Sequence, residues 1–91
     1  MGDPIWSASA QADLLAIVEQ IAADNPDAAL SLVEDIERRA ANLSDHPRMG
    51  RPGRVSGTRE LVVHANYIVV YVDRQDGPVI LRVLHAARLW P

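Results

Sequence analysis

TRELVVHANYIVVYVDRQDGPVILRVLHAARLWP, residues 58–91, carries three runs rich in β-branched and aromatic residues, at 60–63, 67–72 and 79–84. His64-Ala65-Asn66 separates the first two, and Asp73-Arg74-Gln75-Asp76-Gly77-Pro78 the last two. Two consecutive hairpins follow from this spacing, and with them an antiparallel three-stranded meander. Alternation along a pleated strand sends Tyr67, Val69 and Tyr71 to one face and Ile68, Val70 and Val72 to the other. Neither face of this strand is polar, so the sheet is expected to need cover on both sides.

What can supply that cover is bounded by length. The 91 residues make a single domain, 1–91, with a modest core and too little chain for two helical layers around a sheet. Absence of cysteine excludes a disulfide framework and a thiolate metal site, and makes a reducing cytoplasm the natural setting. No apolar run approaches the ~20 residues of a membrane span, and the N-terminus lacks a basic region followed by an apolar block. A soluble cytoplasmic domain with no membrane partner is expected.

Charge is divided along the chain. The net value is -3, and all nine cations are arginine. Through Asp45 there are nine carboxylates against two arginines; from His46 onward there are seven arginines against three carboxylates. An acidic chain overall is a poor sequence-independent nucleic-acid binder, whereas its C-terminal half suits an acidic protein segment or a phosphate.

Upstream of the meander, Pro4-Ile5-Trp6-Ser7 reads as a brief strand that joins it, since proline is tolerated only at an edge or a strand start. From about 9 to 23 the period becomes helical, with Ala10, Leu14, Ile17, Val18 and Ile21 on one stripe and Ser7 or Ser9 as N-cap. Leu15 and Ala22 widen the apolar sector beyond what one contact face needs. Asn25-Pro26-Asp27 caps and starts a second helix, 26–43, whose stripe is Ala29, Leu32, Val33, Ile36, Ala40 and Leu43. So short a connection makes an antiparallel helical hairpin, which covers one face of a small sheet and not both. The expected fold is therefore α+β: a short N-terminal strand and a helical hairpin packed on one face of a mainly antiparallel sheet that ends in the meander.

Between helices and meander lies SDHPRMGRPGRVSG, residues 44–57, where two prolines and three glycines exclude a helix or a central strand. Arg48, Arg51 and Arg54 recur every third residue. The segment reads either as a solvated connection or as an arginine rim, since guanidinium pairs well with carboxylate and phosphate. His46 and His64 have no helical ligand partner and no carboxylate cluster, so no metal is expected. Glu60 beside Arg59 reads as a surface pair. No glycine-rich phosphate loop opens a helix, and no nucleophile elbow frames a serine, so no cofactor is expected.

With IWSASAQADL at the start, LSDHPRMGRPGRVSGTREL in the middle, then YIVVY and VILRVLHAARLWP, the chain resembles the RelE/ParE family of bacterial type II toxins, nearer its ParE side. Members commonly read W-S/T-x-x-A-x-x-D-L, H-P, G-x-R-E-L/I, Y-I-V/I-x-Y and V-x-H-x-R near the C-terminus. The resemblance implies a small toxin neutralised by a cognate antitoxin, ParD-like or RelB-like, whose segment folds onto an extended groove. It reaches DNA only through the antitoxin complex. ParE-like members are linked to DNA gyrase, without catalysis of their own; RelE-like members are ribosome-dependent mRNA endonucleases. A third reading is a non-toxic co-repressor that acts with the antitoxin.

The nuclease chemistry needs a base for the 2'-hydroxyl, cations for the phosphorane charge and an acid for the leaving oxygen. Where the nucleases place an arginine before the apolar end of the second hairpin strand, this chain has Ile68. It also lacks a loop lysine, a tyrosine after His85 and a glutamate in GRPGRV. A reduced catalytic set would be Arg59, Arg82, His85 and Arg88, with His85 as acid or base by side-chain type. Arg59 and His85 should lie two strands apart, and Arg82 should face away from His85 unless a bulge intervenes. Contacts to antitoxin or target are expected from Arg48, Arg51, Arg54, Arg59, Tyr67, Tyr71, Arg82, His85, Arg88 and Trp90.

Overall fold

The computed structural model describes residues 3–64 and 67–86. Strand β1 (Ile5–Trp6) leads into helix α1 (Ala8–Ala22), helix α2 (Pro26–Ala41) and a 3-10 turn (Asn42–Ser44). Then come β2 (Arg51–Pro52), β3 (Arg59–His64), β4 (Tyr67–Arg74) and β5 (Gly77–His85). The sheet order is β1-β5-β4-β3-β2, with β1 parallel to β5 and every other pair antiparallel. The α+β architecture, the helical hairpin and the C-terminal meander are as the residue pattern indicates.

Two refinements concern strand ends. Asp73 pairs with Pro78 and Arg74 with Gly77, so β4 and β5 run further than their apolar cores. The two-residue turn between them is closed by Gly77 at φ +124°, a conformation other residues rarely adopt. Part of the arginine-rich loop also joins the sheet, with Arg51 and Pro52 forming a two-residue edge beside Glu60 and Arg59. A proline at such an edge removes no ladder hydrogen bond that the interior needs.

Ser7 shows how one side chain starts a helix and attaches it. Its Oγ accepts from Ala10 N at 3.0 Å and donates to Leu81 O at 2.9 Å, while its backbone N donates to Ile80 O at 2.9 Å. Asn25 caps α2, its Oδ1 accepting from Ala28 N at 3.1 Å. Of the α2 stripe, Ala29, Leu32, Ile36, Ala40 and Leu43 are buried and Val33 is half-buried. Leu32, Ile36, Ala40 and Leu43 pack with Ala10 of α1 and with Leu61, Val63, Val69, Tyr71, Ile80 and Val83 from the sheet into the main core, with Trp6, Leu14, Ile17, Ile21 and Tyr67 around it.

The second sheet face departs from expectation. Ile68, Val70 and Leu84 form a separate small cluster there, only 3%, 1% and 4% exposed, with Ala86 against it. The centre of that face is thus closed within one chain, and the premise that it lies bare is corrected. Open apolar surface remains at the β3 side of this face, where Val62, opposite Ile68, is 46% exposed, and on the helices, where Leu15 and Leu30 are 59% and 60% exposed.

Candidate functional site

Three constellations bear on function: the arginine loop, the end of β5 facing α1, and the outer surface of the helical hairpin. In the loop, most of the chemistry is turned inward. Glu60 is buried, its Oε1 3.3 Å from Arg51 Nη2, its Oε2 accepting from Arg54 N at 3.0 Å and lying 3.6 Å from Arg54 Nε. It is not the surface partner of Arg59 that its neighbourhood in sequence suggests. Arg59 instead donates through Nη1 to Gly50 O at 2.8 Å.

Tyr71 completes this lock and is not a surface contact residue. It is fully buried, its hydroxyl donating to Pro47 O at 2.7 Å and accepting from Gly50 N at 2.9 Å. The approach is so close that a Cβ on Gly50 would stand 2.7 Å from the Tyr71 hydroxyl. Burial raises the phenol above its ordinary value of 10.0, against the lowering effect of the Gly50 hydrogen bond. Stability linked to this shift is intact below about pH 10 and is lost as pH rises through the folded value. Tyr71→Phe should therefore cost about 1–3 kcal/mol at neutral pH, because two backbone groups lose their partner. It should also blunt the alkaline loss of stability. Denaturant unfolding of both proteins from pH 7 to 11 measures both effects.

At the end of β5 the described members of the reduced catalytic set, Arg59, Arg82 and His85, do not assemble. Arg59 sits opposite Tyr71 and His85 opposite Tyr67, positions four residues apart on β4. That is about 13 Å along the strand, at ~3.3 Å per residue, besides the separation across the sheet. The sheet does contain a bulge, between Tyr71↔Ile80 and Val70↔Arg82, but the register from Arg82 to His85 is regular. No Arg82-His85 dyad results. Arg82 is forked onto α1, Nε to Asp13 Oδ2 at 2.6 Å and Nη2 to Asp13 Oδ1 at 3.0 Å. The same Oδ2 accepts from Val83 N at 3.0 Å, and this pairing raises the Arg82 pKa further. His85 meets Tyr67 edge to face, ring centroids 5.4 Å apart, and both line a groove of about 650 Å³ beside Ile17, Gln20 and Asp24. Arg88 and Trp90 lie outside the described residues. Among the described residues no three His, Cys, Asp or Glu side chains converge to hold a metal.

The outer surface of the hairpin carries a groove of about 450 Å³ between α1 and α2, floored by Leu14, Leu15, Val18 and Val33 and bordered by Trp6, Gln11 and Glu37. None of these was singled out in sequence as a contact residue, although the surplus apolar width at Leu15 was the signal. An apolar trough of this shape accepts the apolar face of an added helix or extended segment.

Comparison with known proteins bears on the whole chain. The family model described as the ParE toxin of the type II toxin-antitoxin system, parDE, matches residues 5–90. Y4kP of Sinorhizobium fredii, a toxin by name, is 40% identical over 87 residues, which span 94% of this chain and 90% of that protein. Toxin RelE2 of Caulobacter vibrioides is 35% identical over 89 residues, spanning 98% of this chain and all of the relative. Among solved structures, the chromosomal ParDE system of P. aeruginosa superposes with a TM-score of 0.83 at 28% identity, covering 93% of this chain and 96% of that one. The toxin-antitoxin complex RelBE2 of Mycobacterium tuberculosis gives 0.60 at 25% identity, covering 93% and 99%.

Proposed function

Because this chain belongs to the ParE toxin family of type II toxin-antitoxin systems, we propose that it arrests growth by binding a protein target, DNA gyrase, and that a cognate antitoxin disarms it. The observation that carries this reading is the scattering of the described nuclease candidates, Arg59, Arg82 and His85. Arg59 is spent on Gly50 O, Arg82 on Asp13, and His85 lies at the other end of β4 from Arg59. An acid, a base and charge-stabilising cations must converge on one phosphate to cut RNA, and among the described residues these three do not. Ile68, at the place where the nucleases carry arginine, is buried in the sheet.

The antitoxin reading is supported by the apolar trough on the hairpin and by the two structural relatives, both drawn from toxin-antitoxin systems. A segment with alternating apolar and acidic residues would bury Leu15 and Val33 and meet the cationic C-terminal half of the chain. Gyrase as the target would place the action in the cytoplasm.

The test compares two arms. Purified chain should inhibit supercoiling by gyrase, and its induction in cells should bring a DNA damage response and filamentation while bulk translation continues. Abrupt loss of translation with cleaved ribosome-bound mRNA, and supercoiling left intact, would overturn the proposal.

A further inference from the structure

Residues 46–50 are pinned from beneath. His46 N donates to Asn42 O at 2.9 Å and Met49 N to His46 O at 3.0 Å. Tyr71 holds Pro47 O and Gly50 N, and Arg59 holds Gly50 O. The buried Tyr71 side chain and Arg59 thus give residues 46–50 one shape, and the buried Glu60 fixes Arg51 and Arg54 just beyond them. Binding loops are held in this way, because a preset contact surface loses little conformational freedom when it docks.

The outer side of this knuckle presents His46, Arg48 and Met49, with Met49 42% exposed, and together with Pro47 they line a shallow hollow of about 550 Å³. Arg51 and Arg54 are engaged with Glu60, Arg59 with Gly50 O and Arg82 with Asp13, whereas Arg48 makes no ion pair among the described residues. One guanidinium beside an apolar hollow is a poor match to a nucleic-acid backbone, whose binding draws on several cations at once. It matches a protein surface that offers an apolar side chain flanked by a carboxylate, and arginine is enriched in the hot spots of such contacts. Methionine adapts to the shape of what it meets.

We propose that the 46–49 knuckle is the surface that grips the cellular target, an acidic and apolar patch on a folded protein. The inference rests on the reading of this chain as a poison that works by protein contact. A rigid knob suits a partner that is already folded, while a segment that folds on binding needs a trough. The knuckle is also distinct from the hairpin trough: Val33, on its floor, lies about 12 Å before Ala41 at 1.5 Å per residue, and the knuckle follows beyond the 3-10 turn.

Arg48→Glu and Met49→Ser, made separately, test this. Each should leave the unfolding midpoint and co-purification with the cognate antitoxin unchanged. Arg48→Glu should raise the amount of protein needed for growth arrest at least tenfold, and Arg48→Lys should restore most of the potency. If both Arg48→Glu and Met49→Ser arrest growth as the unaltered chain does, or if they release the antitoxin instead, the knuckle is not the target surface. Loss of arrest in Arg48→Glu, with gyrase untouched by the unaltered chain, would sink the gyrase assignment and leave the knuckle standing.

Discussion

Asp13→Ala should lower the free energy of unfolding by about 3 kcal/mol, the largest stability effect expected of any single surface-proximal change in this chain. Its carboxylate accepts from Arg82 Nε, Arg82 Nη2 and Val83 N, and so ties α1 to the strand beside it. The Asp13 side chain is 14% exposed and that of Arg82 30%, so water replaces the lost partner only in part. Alanine takes this acceptor from Val83 N–H and the paired carboxylate from the guanidinium. In a domain of this size the loss appears as a fall of roughly 12–24 °C in the melting temperature. Asp13→Asn keeps one acceptor oxygen and should cost about half as much. A thermal melt of the three proteins suffices, and an alanine variant within about 0.5 kcal/mol of the parent would show that the fork contributes nothing.

Leu15→Glu should have the opposite profile, with stability almost unchanged and antitoxin affinity reduced about 30-fold, equivalent to ~2 kcal/mol. Leu15 is 59% exposed on α1, where glutamate is as good a helix former, so folding has little to lose. Docked beneath an apolar segment, the same position would place a carboxylate in a dry contact without a partner. Calorimetric titration with the antitoxin gives the affinity and a melt gives the stability. Unchanged affinity would move the antitoxin off the hairpin trough.

The layout of helices and strands was legible because the chain states it twice, in hydrophobic period and in caps. Ser7 and Asn25 sit where the first free amides need an acceptor, and the alternation through Tyr67 and Val72 divides the sheet into its two apolar faces. The fate of the second face was not legible. Period shows which residues share a side but not how much of that side its neighbours close over, and Ile68, Val70 and Leu84 are closed over.

The site was harder to read for a related reason. Asp13, Glu60 and Tyr71 belong to the stretches that carry the family resemblance, yet each is used to hold the scaffold together. Glu60 in particular sits beside Arg59 in sequence and pairs across space with Arg51 and Arg54, a partnership set by the β2–β3 register. Motifs made of such residues announce the fold strongly and the target weakly. A family model described as a ParE toxin and a relative named RelE2 both match this chain over most of its length, and the outward-facing side chains of the knuckle and trough are where different targets would be distinguished.

Whether this chain acts by contact or by chemistry is tested most directly by the growth-arrest potency of His85→Ala. His85 is the histidine of the reduced nuclease set, the side-chain type suited to general acid-base work, and it is exposed, so its removal spares the core. A contact poison should keep its potency to within about tenfold. A drop of about 10²–10⁴-fold in a protein that still folds and still binds the antitoxin is what loss of general acid-base catalysis produces, and it would contradict the account.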